Sequence, residues 1–215
     1  MDLIGRVAMT PARPFSLILY NMNMQQTSRI SSQHPLRKLF RKALSFGFDS
    51  SGVARSPAFD YLEEQVLCEF ITTDNLYRIR DASGRRLEDI ADMLLEGDIR
   101  FHARSFEREY AVHKHIGDYT LFMLGLFPEA LKRRKGKEFI LGKIVIPEAD
   151  MTEHYELQGR RSYQIAATFS HEKLFHELSS HYLLYRDVLS LARTYLESVR
   201  NVEFLKAKGI IGGTE

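Results

Sequence analysis

Two pairs of carboxylate and histidine side chains stand at helical spacing in this sequence. Glu109 and His113 are four residues apart, and so are Glu177 and His181. Residues i and i+4 project from the same side of a helix, so each pair can share a hydrogen bond or a ligand. Glu63 adds a carboxylate that points into the apolar side of an earlier predicted helix. These five side chains could meet inside a helical bundle.

Three interpretations of these residues remain open. Carboxylates and histidines on facing helices form metal sites in bundle cores, and iron or manganese there would define a metal-dependent oxidoreductase or hydroxylase. Di-iron bundles, however, use Glu-x-x-His, whereas this chain has Glu-x-x-x-His. A hydrogen bond between a buried glutamate and histidine satisfies both groups without a metal, and this structural interpretation is preferred. A small-molecule pocket is the third.

A ligand groove is a second candidate site, between the two long helices predicted last in the chain. Tyrosines and arginines alternate there, and an arginine can make bidentate contacts with an anionic ligand. Ordinary helix packing, with tyrosine hydroxyls reaching water, explains the same pattern and is favoured. The residues predicted to line the groove are Tyr155, Arg160, Tyr163 and Tyr185.

A basic run, KRRKG at residues 132–136, could hold phosphate or nucleic acid. No aromatic residue interleaves with it for base stacking, and the formal net charge of the chain is only +2. A dedicated nucleic-acid binder is therefore not expected. The sequence also has no P-loop, no Gly-rich dinucleotide turn, no G-x-S-x-G and no H-E-x-x-H. No complete catalytic constellation is visible.

Composition favours one cytoplasmic domain. The chain has 215 residues, of which 44% are hydrophobic and 27% charged, enough apolar material for a large core. Its single cysteine, Cys68, allows no internal disulfide and fits a reducing compartment. No apolar run approaches the roughly 20 residues that span a bilayer, and the N-terminus lacks the pattern of a signal peptide. Membrane association is not expected.

The candidate residues must be positioned by a central helix, predicted for residues 104–127. Its apolar stripe keeps the 3–4 spacing of a buried helix and consists of Val112, Ile116, Tyr119, Met123 and Leu126. Gly117 lies within this helix and predicts either a crossing neighbour or a kink. A second long helix is predicted to run unbroken from Ser170 for seven turns and to face the central one.

The sequence therefore predicts an all-α, single-domain bundle of about six or seven helices. Residues 34–205 form the bundle, residues 1–33 a mobile or loosely docked N-terminal arm, and residues 206–215 a frayed tail. The β-branched residues of 138–147 predict a short extended segment. An isolated segment lying on the bundle is preferred, and a small hairpin about Gly142 is the alternative.

The preferred functional interpretation is a non-enzymatic cytoplasmic binding or interaction module. Apolar helical faces are abundant, and they suit self-association or the binding of a protein partner. The alternative is the bundle oxidoreductase or hydroxylase with its Glu/His metal centre.

Overall fold

The computed structural model describes residues 31–212. Within that range the exceptions are residues 32, 72, 99–102, 104, 134–139, 142–143, 146–147 and 171–172. The predicted N-terminal arm therefore lies almost wholly outside the described residues. The same holds for the last residues of the predicted tail and for most of the basic run.

Ten α-helices make up most of the described chain. In chain order they are α1 Pro35–Ser51, α2 Pro57–Tyr61, α3 Thr73–Leu76, α4 Ile90–Gly97, α5 Phe106–Leu126, α6 Pro128–Arg133, α7 Glu148–Ser170, α8 Lys173–Ser180, α9 Tyr182–Ser198 and α10 Val202–Gly212. A π-helix, Leu62–Cys68, and a 3₁₀ turn, Glu69–Ile71, continue α2. Seven of the ten helices have eight or more residues, so the predicted all-α bundle is confirmed. None of these described helices is both long and apolar enough to cross a lipid bilayer.

The segment predicted to be extended near residues 138–147 forms a minimal hairpin. Two strands of two residues each, β1 Ile140–Leu141 and β2 Ile144–Val145, pair in antiparallel register. The preferred prediction of an isolated segment is therefore wrong, and the alternative, a small hairpin, is confirmed.

Helix α5 is the central element, as predicted. It begins where the Ser105 side chain accepts a hydrogen bond from the backbone N–H of Arg108 at 3.2 Å, which caps the first turn. From Val112 to Leu126 every side chain except Lys114 is buried. Helices α4, α7 and α9 pack around it, so α5 has almost no contact with water beyond its first turns.

Gly117 marks a crossing rather than a kink. Helix α5 stays continuous through this position. A Cβ atom at Gly117 would lie 2.6 Å from the ring of Tyr163 on α7, far inside van der Waals contact. The missing side chain thus lets α7 approach α5 closely.

The prediction of one unbroken helix from Ser170 is wrong. Ser170 ends α7, and the rest consists of α8 and α9, separated at His181, whose φ of −110° and ψ of 28° are not helical. Helix α8 packs against α7, whereas α9 packs against α1 and α5. One straight helix could not bury both apolar faces, because the two halves have different neighbours.

Helix α10 occupies most of the predicted frayed tail. The ring of Phe204 packs on that of Phe127, with centroids 5.6 Å apart. Lys208 donates a hydrogen bond to Glu197 at 2.6 Å. These contacts attach the helix to α9 and to the end of α5.

Replacing Gly117 by alanine should lower the free energy of unfolding, even though alanine is intrinsically the better helix former by about 1 kcal/mol. The added methyl group must displace the buried ring of Tyr163, and overpacking of this kind costs about 1–3 kcal/mol. Urea denaturation followed by circular dichroism measures the difference. An alanine variant as stable as the natural protein would contradict the close approach of α7.

Candidate functional site

A single carboxylate lies at the centre of the polar interior. Asp118 of α5 is 0% exposed. Its Oδ1 accepts hydrogen bonds from the hydroxyl of Tyr61 at 2.7 Å and from that of Tyr163 at 2.8 Å. Its Oδ2 lies 2.9 Å from the Nζ of Lys114, one turn earlier on α5. Helices α2, α5 and α7 thus converge on one acidic side chain.

The groups around Asp118 suit an ionised carboxylate. Burying an unpaired charge costs several kcal/mol, and only a counter-charge together with hydrogen-bond donors offsets that cost. Lys114 supplies the counter-charge, and its ammonium also lies 5.1 Å from the centre of the Tyr61 ring. Burial, reinforced by the charge of Asp118, raises the pKa of Tyr61 and of Tyr163 well above 10. Both phenols therefore remain hydrogen-bond donors at neutral pH.

Helix α5 also buries two polar side chains against its long neighbours. The Nδ1 of His113 lies 3.3 Å from the Oγ of Ser162 on α7. The hydroxyl of Tyr182 on α9 donates to the Oγ1 of Thr120 at 2.9 Å. A side chain at Gly159 of α7 would collide with this last pair. Together with Asp118, these bonds fix the register of α5, α7 and α9.

His115 is the second buried histidine of α5. The Nε of Arg78 donates to its Nδ1 at 3.0 Å, which assigns the ring proton to Nε2. Arg78 also donates to the carboxylate of Glu69 at 3.1 Å. Burial lowers the pKa of His115 well below 6.5, and the cations of Arg78 and Lys114 lower it further. The Nε2 atom makes no hydrogen bond of normal geometry among the described residues.

Glu63 points inward, as predicted, but its partners are arginines. The side chain is 1% exposed and lies in the first turn of the π-helix. Its Oε1 is 3.0 Å from the Nε of Arg37, and its Oε2 is 2.5 Å from the Nη1 of Arg41, both on α1. Both carboxylate oxygens of Glu63 are therefore paired with an arginine, and the two ion pairs hold α1 against the π-helix.

The other predicted metal ligands do not assemble with Glu63. The carboxylate of Glu177 accepts hydrogen bonds from Ser56, at 2.6 Å, and from the hydroxyl of Tyr185. His181 is exposed at the break between α8 and α9, and Glu109 is partly buried in the first turn of α5. The part of the chain that the structure describes contains no group of three or more His, Cys, Asp or Glu that could hold a metal ion. The contact predicted between His113 and the last helix is replaced by the one with Ser162 of α7.

The four residues predicted to line a groove are placed apart. Tyr155 is buried with its ring 6.4 Å from that of Tyr119, measured between centroids. Tyr163 is buried at Asp118, and Tyr185 is buried at Glu177, whereas Arg160 is exposed. The three tyrosines pack in the interior, as the helix-packing interpretation predicts, but the hydroxyls of Tyr163 and Tyr185 bond to carboxylates instead of reaching water.

Neither Asp118 nor His115 is singled out by the sequence patterns. Both lie in the buried and mainly apolar part of α5, and apart from Lys114 their partners come from distant parts of the chain. The available signal is the spacing of Lys114 and Asp118, which places opposite charges one turn apart in a stretch that is otherwise apolar.

The fold and its interior define an all-α bundle held together by a buried tyrosine–aspartate cluster. Neither a protein-family model, nor a curated protein, nor a solved structure matches this chain.

Replacing Asp118 by asparagine should destabilise the fold by about 3 kcal/mol, because Lys114 then lacks its counter-charge inside the bundle. Replacing Tyr163 by phenylalanine removes one of the two phenol donors and should cost only about 1–2 kcal/mol. Urea unfolding midpoints and slopes measure both. An asparagine variant as stable as the natural protein would show that the carboxylate does not hold the fold together.

The stability of the protein should fall in mild acid because of His113. Burial lowers its pKa to about 4, and the charge of Arg161 contributes, although Asp98 acts in the opposite direction. The unfolded chain binds a proton below about 6.5 while the folded chain does not. The stabilising contribution is thus complete above pH 6.5 and is lost as the pH falls towards 4, by up to about 3 kcal/mol.

The variant His113→Gln tests this pH dependence, because glutamine does not titrate. Free energies of unfolding are measured between pH 4 and pH 7 for both proteins. We expect a shallower loss of stability for the variant in this range. Parallel curves would contradict the assignment of the effect to His113.

Proposed function

We propose that this chain is a non-enzymatic interaction module that binds a protein partner on the surface between α1 and α9. The observation that carries the proposal is Phe46, which stays 40% exposed although its ring contacts Tyr195, with centroids 5.6 Å apart. On α9, the half-buried Leu191 lies one turn before Tyr195, and Val199, which is 45% exposed, lies one turn after it. We call these four residues the α1–α9 strip.

The two helices that carry the α1–α9 strip pack closely against each other. Phe48 of α1 packs near Tyr185, with ring centroids 6.2 Å apart, while Phe46 reaches Tyr195 further along α9. The two helices therefore run antiparallel. At Gly47 there is no room for a Cβ atom beside the backbone of Val188, so the helices approach closely. A pair of helices in close contact presents a shallow groove in which a third helix can pack at the usual distance of about 8–10 Å.

The polar interior supports a structural rather than a catalytic role. Both carboxylate oxygens of Asp118 and of Glu63, and the Oε1 of Glu177, are bonded to neighbouring side chains. A general base or metal ligand needs an open position for a substrate or an ion. The arrangement therefore favours the interaction module over the alternative of an iron- or manganese-dependent oxidoreductase.

We also infer a cytoplasmic setting. Cys68 is the only cysteine, and burial raises the pKa of its thiol to about 11. Such a thiol is largely protonated and poorly reactive at neutral pH, which suits a reducing compartment in which no disulfide forms.

A labelled helical peptide with leucines along one face and glutamines elsewhere tests the proposal. Fluorescence anisotropy should show that it binds the full-length protein. The substitution Phe46→Asp should weaken this binding at least about tenfold, because it places a charge in the centre of the strip. The matched control is Leu95→Asp, which changes a side chain of similar exposure on α4 and should leave binding unchanged.

Sedimentation velocity of the same three proteins over a wide concentration range tests self-association. Association that Phe46→Asp abolishes would make a second copy of the chain the partner. A protein that stays monomeric and also fails to bind the peptide would overturn the interaction module.

A further inference from the structure

We propose that the partner segment is an acidic amphipathic helix. Its apolar face would cover the α1–α9 strip while its carboxylates pair with Lys38 and Lys42 of α1. The inference rests on the proposed function and adds the chemistry of the partner to it.

The positive charges of Lys38 and Lys42 have no ion-pair partner in the part of the chain that the structure describes. Both side chains are exposed, and they lie two turns and one turn before Phe46 on the same side of α1. Neither ammonium has a carboxylate within 4.0 Å among the described residues. Arg37 and Arg41 on the same helix are, by contrast, both paired with Glu63. The two lysines are therefore available to a partner.

The end of α9 adds to this basic surface. Because α1 and α9 run antiparallel, the Lys38 end of α1 lies towards the end of α9, where Val199 is followed by the exposed Arg200. Arg200 makes no ion pair among the described residues. An apolar strip bordered by unpaired cations matches a helix with leucines on one face and carboxylates beside them.

Charge also argues against the chain's own residues as the occupant. In a symmetric contact between two copies the same patch faces itself, so Lys38 and Lys42 would find carboxylates beside the strip only at Asp49 and Asp187, and each of these already has an arginine within 4.0 Å. Residues 1–30 contain one acidic residue, Asp2, and three arginines, at positions 6, 13 and 29. Both candidates therefore supply fewer free carboxylates to the lysines than an acidic helix does.

The shape of the strip favours a protein over an anionic membrane. A helix that binds in the membrane interface buries its whole apolar face among the lipids. The main apolar face of α1, with Phe40, Leu44 and Phe48, is turned into the core instead. Only Phe46 and the margin of α9 remain outside, and these suit the groove between two helices better than the interior of a bilayer.

Three labelled peptides test the inference. All share the leucine face used above, and their polar positions carry glutamate, glutamine or lysine. With the full-length protein at low salt, the glutamate peptide should bind about fivefold tighter than the glutamine peptide, as expected for two exposed ion pairs. The lysine peptide should bind most weakly. Added salt should reduce the advantage of the glutamate peptide.

The double substitution Lys38→Gln and Lys42→Gln should remove this preference. Its affinity for the glutamine peptide should equal that of the natural protein, because the strip is intact. The matched control, Arg160→Gln with Lys173→Gln, removes two exposed cations from α7 and α8 and should keep the preference. This control separates a local pairing from an effect of net charge.

Four results would overturn the acidic partner. In the first, the glutamate and glutamine peptides bind equally well, and Phe46→Asp abolishes the binding of both. This result would support an interaction module but contradict its preference for an acidic partner. Absence of any peptide binding would overturn the module itself. Binding to phosphatidylserine vesicles that needs Lys38 and Lys42 and that no peptide inhibits would assign the surface to membranes. Tighter peptide binding after Phe15→Asp would show that residues 1–30 occupy the strip.

Discussion

The whole arrangement depends on keeping one negative charge in a dry interior. Asp118 is tolerable there only because Tyr61, Tyr163 and Lys114 surround its two oxygens. Each of these contacts has a geometric requirement: α2 must end beside α5, and α7 must cross at Gly117. Displacement of α2 or of α7 would remove one phenol donor from the buried carboxylate. The carboxylate thus selects one packing of apolar helices that could otherwise slide past each other.

The same kind of bonding extends along α5. His113, His115 and Thr120 each have a partner on a different element, so α5 is bonded on several sides. The surface between α1 and α9 differs, because Phe46 and Val199 stay exposed there and Lys38 and Lys42 make no ion pair among the described residues. The partner proposed for that surface would bind without rearranging the interior.

The sequence predicts the elements better than the contacts. The apolar stripe from Val112 to Leu126 defines α5, and the inward direction of Glu63 is confirmed by its burial. The nature of its partners could not be predicted, because arginines 22 and 26 residues away reach it only in the folded chain. The break at His181 could not be predicted, because the 3–4 spacing of apolar residues continues across it. Only the packing neighbours differ between α8 and α9. Asp118 is overlooked for a similar reason, since its tyrosines lie 57 and 45 residues away.

The pairing of α1 with α9 has a consequence for how the chain is made. The first described helix buries its apolar face against one of the last, and the nearby contact of Ser56 with Tyr185 spans 129 positions. A ribosome adds about 5–20 residues per second. On the order of 10 s therefore pass between the synthesis of α1 and that of α9, which covers its apolar face. During that interval Phe40 and Leu44 lack the cover that α9 supplies, whereas Phe48 can already pack on Phe59. The bundle can close only after α9 has been synthesised, and until then the nascent chain exposes apolar side chains that favour aggregation.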